Sequence, residues 1–75
     1  MGSKYPVLSP KAVIKALEKF GFQYVSQKGS HAKYKKTGNP TKVVIIPMHN
    51  EIAKGTLKSI LEQTAIELDD FLKQL

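Results

Sequence analysis

Residues 22–47 read FQYVSQKGSHAKYKKTGNPTKVVIIP, and how this stretch folds decides the architecture. Phe22–Lys28 is rich in strand formers, with Phe22 and Tyr24 on one face and Val25 on the other. Gly29 marks a tight reversal into a second strand, Ser30–Lys36. Successive side chains of a strand alternate faces, so His31, Lys33 and Lys35 share one face while Ser30, Ala32 and Tyr34 share the other. Thr37-Gly38-Asn39-Pro40 is a turn. Lys42–Pro47 is a third strand, apolar on both faces at Val43–Ile46, which predicts a central or helix-covered position. Pro47 ends it.

Helical patterns flank this hairpin-plus-strand unit. Residues 4–9 read as an extended lead-in, with Ser9 as N-cap and Pro10 at the first helical position. Val13, Ile14, Leu17 and Phe20 recur at helical spacing, and Gly21 supplies the stop. After the loop Met48-His49-Asn50-Glu51, the residues Leu57, Ile60 and Leu61 predict a helix over 53–64. A short last helix follows, with Leu68, Phe71, Leu72 and Leu75 as its apolar side. The order α-β-β-β-α-α is an α+β class: a three-stranded antiparallel sheet with helices on one face and the other face open. That is the plan of a double-stranded-RNA-binding domain (dsRBD-like). Val13, Leu17, Phe20, Val44, Ile46, Leu57, Ile60 and Phe71 are the expected shared core.

The chain has 75 residues, the size of one small domain spanning 1–75. It contains no cysteine, which excludes disulfides and thiolate metal sites and fits a reducing compartment, so a cytoplasmic location is expected. Two histidines and six carboxylates, mostly scattered, give no zinc-type ligand spacing; no metal or other cofactor is expected. No apolar run approaches membrane-spanning length, and no hydrophobic signal segment is seen at the N-terminus. Met1-Gly2 lacks the Ser or Thr that a myristoylation signal wants at position six, where Pro6 stands. Met1-Gly2-Ser3 is equally readable as a vector-derived remnant and carries no weight.

The net charge is +6, and its distribution is uneven. Through Lys58, eleven lysines face only Glu18 and Glu51, a local balance of +9. From Ser59 onward four carboxylates face only Lys73, a balance of −3. A polarised basic body is the footprint of a polyanion binder. All twelve cations are lysines, which favours point-charge contacts with phosphates over bidentate reading of base edges.

Against this background the stretch KGSHAKYKK, residues 28–36, carries the candidate chemistry. His31 follows a turn and shares a strand face with Lys33 and Lys35; Lys28 and Tyr34 are near it in sequence. Ser30 offers a hydroxyl, and the backbone at Gly29 can approach a phosphate closely. RNA supplies its own nucleophile, the 2′-hydroxyl. A protein need only remove that proton, stabilise charge on the phosphoryl oxygens and protonate the leaving 5′-oxygen, with no metal required. Histidine suits the proton transfers because its unperturbed pKa lies near ~6.5. Such acid–base catalysis contributes typically ~10²–10⁴-fold, so lysines must also stabilise the phosphate. The residues alone equally describe a solvated or phosphate-contacting histidine in a basic hairpin. His49 reads as a residue capping or bonding the loop before the second helix, with two-histidine catalysis open but not preferred. Lys54-Gly55-Thr56 reads as a helix cap, with a phosphate site on free helical amides as the lesser alternative.

Four blocks in order give a specific resemblance. Phe20-Gly21-Phe22, Gln27-Lys28-Gly29-Ser30-His31, Ile46-Pro47-Met48-His49 and Lys54-Gly55-Thr56-Leu57-Lys58-Ser59-Ile60-Leu61 resemble the HicA family, small toxins of bacterial and archaeal HicAB toxin–antitoxin systems. The resemblance runs from about Ser9 to the C-terminus. It implies a dsRBD-like fold and a metal-independent mRNA interferase whose catalytic histidine is His31. Lys28, Gly29, Ser30, Lys33 and Lys35 are the candidate RNA-binding residues around it. It also implies a HicB antitoxin that covers the site, with operator DNA bound only through the antitoxin complex; the free chain is expected to be a monomer. The sequence departs from the family at Gln27, often arginine, and at Ala65 and Glu67, commonly Gly and Ser before the last helix. The first removes a phosphate contact; the second touches helix termination and capping. The alternative is a non-catalytic RNA-binding module that blocks translation or serves as an adaptor. A third reading is an inert partner-binding subunit without RNA affinity of its own.

Overall fold

The computed structural model describes residues 5–75; Met1–Ser3 and Lys4, the first residue of the expected lead-in, lie outside them. The elements are α1 (Pro10–Lys19), β1 (Gln23–Lys28), β2 (His31–Lys36), β3 (Lys42–Pro47), α2 (Lys54–Thr64) and α3 (Leu68–Leu72). The expected order holds, and β3 has the expected bounds.

The ends of α1 are set by local chemistry. The Ser9 hydroxyl oxygen accepts from the Ala12 N–H at 3.1 Å, and Pro10, at the first position, has no N–H that would need an acceptor. Val13, Ala16 and Leu17 form the buried stripe. At the other end the Gly21 N–H donates to Glu18 O at 3.0 Å and the Phe22 N–H to Leu17 O at 3.2 Å. This is a Schellman motif, and Gly21 takes the φ of 99° that it needs. Buried Phe22 and Leu17 provide its apolar contact.

The same motif recurs at the end of α2 with a different residue. Ala65 N–H donates to Glu62 O at 3.3 Å and Ile66 N–H to Leu61 O at 3.1 Å, so Ala65 sits in the left-handed region at φ 57°, ψ 35°. The departure from glycine thus falls where a Cβ is sterically disfavoured. Glu67, the other departure, is the N-cap of α3 and makes no side-chain capping bond.

The three strands form one antiparallel sheet in the order β1-β2-β3. Of the two positions expected for β3, central or helix-covered, the second holds, and for one face only. The apolar strand β3 is an edge strand, and only one of its faces is covered, by α1 and α2. Val44 and Ile46 are fully buried, whereas Val43 and Ile45 remain 44% and 42% exposed. The central strand is β2, whose covered face carries Ala32 and Tyr34.

The helices enclose the core between themselves and that covered face. Val13 and Leu17 meet Val44 and Ile46 from the sheet and Leu57, Ile60 and Phe71 from the remaining helices. Of the expected core, Phe20 is only partly buried, because it is the C-cap of α1. Phe22 and Ile52 are buried in addition. The Ile52 N–H donates to Leu8 O at 2.6 Å, tying the lead-in to the loop before α2. Among the described residues, no helix is long and apolar enough to cross a membrane.

Candidate functional site

The hairpin that carries the site closes through two residues. Lys28 and His31 pair directly, and Gly29 and Ser30 form the loop. Gly29 takes φ 60° at the first loop position, which is where a type II′ hairpin turn calls for glycine. No atom lies within 4 Å of where its Cβ would be, so the requirement is one of backbone conformation alone. Gln27, at the place where the family often has arginine, donates from Nε2 to Gly29 O at 3.1 Å and braces the turn.

Alternation alone puts Lys28 on the face of Tyr24 and Ser26, away from His31 when Tyr24 faces the helices. A bulge changes this. Tyr24 pairs with Tyr34 and Ser26 with Lys33, leaving Val25 as one extra residue in β1. The inserted residue flips the face of everything after it. The open face therefore presents three cross-strand rows: Gln23, Lys35 and Val43; Ser26, Lys33 and Ile45; Lys28, His31 and Pro47. A depression of about 480 Å³ on this face is lined by Ser26, Lys28, His31, Lys33 and Ile45. His31, Lys28 and Lys33 are all exposed.

Of the sequence-derived candidates, His31, Lys28 and Lys33 are thus brought together. Lys35 shares the face but stands four residues along β2, about 13 Å from His31 at the strand rise. Gly29 and Ser30 sit in the turn beside the depression; Ser30 is half-buried, and its carbonyl accepts from the Met48 N–H at 2.6 Å. Ser26 and Ile45 were not anticipated. Their arrival depends on the bulge and on the β2–β3 register, neither of which has a signature in a single strand's pattern.

Tyr34, near His31 in sequence, and His49, far from it, stand the other way round in space. Tyr34 lies on the covered face at 7% exposure, in edge-to-face contact with Tyr24 at 5.8 Å. Burial, then the Glu18 carboxylate and Tyr24, push its hydroxyl above the ordinary value of 10.0. It is therefore separated from His31 by the thickness of the sheet. His49 moves the other way: its ring lies 6.4 Å from that of His31, centroid to centroid, at 81° between planes. It forms no hydrogen bond with the loop before α2 among the described residues, contrary to the capping expectation.

The expected cap Lys54-Gly55-Thr56 is also corrected. These residues form the first turn of α2, and the N-cap is Ala53, which has no side-chain acceptor. Another depression of about 550 Å³, between α1 and Gln74–Leu75, holds no histidine and sets Glu18 beside its two lysines, a poorer place for a polyanion. Among the described residues no cluster of three or more His, Cys, Asp or Glu side chains is formed.

A family model described as HicA toxin of bacterial toxin-antitoxin matches residues 10–66, from the first residue of α1 to just past α2. That span contains both histidines and the whole sheet. No curated protein matches the chain.

Proposed function

The chain belongs to the HicA toxin family of bacterial toxin–antitoxin systems, and from that premise we propose that it is an endoribonuclease acting on mRNA through His31. The observation that carries the reading is the row Lys28–His31 beside Lys33 in one depression of the open face. Two ammonium groups hold a phosphodiester and stabilise the charge that develops on its oxygens. The imidazole beside them moves a proton to or from the reacting linkage. The 2′-oxygen attacks phosphorus, the bond to the 5′-oxygen breaks, and a 2′,3′-cyclic phosphate and a free 5′-hydroxyl result. The chemistry needs no metal.

Because lysines provide only point charges, binding is led by the phosphate backbone and sequence preference is low. A HicB-like antitoxin fits the same face. The half-exposed Val43 and Ile45 lie in the same cross-strand rows as Lys35 and Lys33, offering apolar contact next to charge. An acidic or apolar partner seated there covers His31, and its association is fast and salt-sensitive. Operator DNA is then met only through that complex. The free toxin acts as a cytoplasmic monomer.

The test is His31→Ala. His31 is exposed, so the variant should fold like the wild type while RNA cleavage and growth arrest disappear. Cleavage at the wild-type rate in this variant refutes the assignment, and loss of wild-type activity in EDTA refutes the metal-free chemistry. Intact RNA bound tightly by a clean wild-type preparation supports a non-catalytic RNA-binding module instead. Equal cleavage by the toxin and by its antitoxin complex rules out occlusion.

A further inference from the structure

A single histidine cannot serve both ends of the reaction in one concerted step, since the attacking 2′-oxygen loses a proton while the leaving 5′-oxygen gains one. We propose that His49 is the second proton-transfer group of this site; the inference rests on the ribonuclease reading of His31.

The placement of His49 is built into the backbone. His31 pairs with Pro47 across β2 and β3, and the next residue, Met48, donates its N–H to Ser30 O at 2.6 Å. Four residues further on, Ile52 N–H donates to Leu8 O at 2.6 Å. The short loop that carries His49 is therefore tied at both ends. It leaves the sheet at the row that holds His31.

The geometry suits a shared phosphate. Rings 6.4 Å apart at 81° are not hydrogen-bonded to each other, and among the described residues neither imidazole has a hydrogen-bond partner. Both are exposed. With a hydrogen-bond reach of about 2.6–3.2 Å from each ring, two imidazoles at this separation address different oxygens of one phosphodiester bound at the rim of the depression, which His31 lines and His49 does not. The other nearby groups serve less well. Tyr34 is on the far side of the sheet. An ammonium such as that of Lys28 has three donors and no acceptor, which makes it a phosphate clamp.

The step balances without a co-reactant. One neutral imidazole takes the 2′-hydroxyl proton as the bond from the 2′-oxygen to phosphorus forms. The other, as imidazolium, gives its proton to the 5′-oxygen as the bond from phosphorus to that oxygen breaks. The two rings finish with their protonation states exchanged, and water resets them. One required base and one required acid give a bell-shaped dependence of rate on pH.

The experiment compares wild type, His49→Ala and His49→Gln on an oligoribonucleotide over about pH 5 to 8. A second substrate carries sulfur in place of the 5′-oxygen at the mapped cleavage linkage, because a thiolate departs without a proton. Both variants should lose on the order of 10²–10⁴-fold in kcat with little change in KM, and each should lose one limb of the bell. Loss of the alkaline limb with recovery on the sulfur substrate makes His49 the acid. Loss of the acidic limb without recovery makes it the base. Either supports the proposal. A wild-type rate and unchanged bell in His49→Ala overturn it, as does recovery in His49→Gln, which can hydrogen-bond but not shuttle a proton. A wild type that cleaves neither substrate overturns the ribonuclease reading and this inference with it. A wild type that cleaves beside an equally active His49 variant overturns this inference alone.

Discussion

Lys28 pairs directly with His31 across the hairpin, and it reaches that face because Val25 is an extra residue in β1. The pairing converts a lysine that simple alternation sends toward the helices into a neighbour of the candidate catalytic histidine. Ser26 is carried over with it.

Deleting Val25 should therefore be tolerated. Every observed pair, from Gln23 with Lys35 to Lys28 with His31, can persist in a regular ladder once the bulged residue is gone. The variant should bind RNA within a few-fold of wild type and keep a cooperative melt. A large loss of affinity in a folded variant would show that the bend of the bulge itself, rather than the face it selects, is what RNA binding requires.

The lysines of the open face should differ from those elsewhere. Lys28→Ala and Lys33→Ala should each weaken single-stranded RNA binding and lower the slope of log K against log salt by about 0.7. Lys36 alternates to the other face of β2, where its side chain lies by Gly21. Lys36→Ala should leave the slope unchanged. Equal effects at all three positions would mean that binding follows net charge rather than this face.

The two Schellman motifs offer an internal comparison. Gly21 meets the left-handed requirement without a Cβ, while Ala65 meets it with one at φ 57°. Ala65→Gly should stabilise the fold by about 1 kcal/mol, raising Tm by roughly 4–8 °C for a domain of this size. Gly21→Ala should do the reverse through its backbone alone, because φ is 99° there and the nearest neighbour of the new Cβ is the flexible end of Lys36 at 3.4 Å, an ordinary contact. Thermal melts of the two variants check both signs.

Tyr34 makes stability depend on alkaline pH. Its folded-state pKa is raised above the ordinary value of 10.0, first by burial, then by Glu18 and Tyr24. The neutral hydroxyl is thus the form the fold prefers. Its contribution is complete below pH 10.0 and is lost as pH rises through the higher folded value. Lysines titrate over the same range in any variant, so the difference between wild type and Tyr34→Phe isolates the effect. Wild type should lose more stability than Tyr34→Phe above pH 10.0; parallel loss would place the tyrosine in a less buried setting than the packing shows.

The sequence was most informative where structure is local. Ser9 and Pro10 start α1, Gly21 ends it, and Gly29 turns the hairpin, because each position demands a donor-free ring, a capping oxygen or a positive φ that few residues supply. Alternation along β2 correctly separates His31, Lys33 and Lys35 from Ala32 and Tyr34, since β2 contains no bulge. The apolar run of β3 left a central and a helix-covered position open, and the second holds for one face only. Burial on one face, together with an apolar strip left open on the other, gives the same pattern as a central strand.

What the sequence by itself determined is the order of elements, the basic body and the face of the central strand that holds His31. These follow from periodicity and backbone preferences that act over a few residues. Tertiary structure alone decided that Lys28 joins that face and that His49 comes within 6.4 Å of His31. The bulge exists only in the pairing of β1 with β2. The histidine pair exists only in the register of β2 with β3 and in the hydrogen bond from Met48 to Ser30 that extends it. Cross-strand register is a property of two chain segments at once, and neither segment's own pattern contains it.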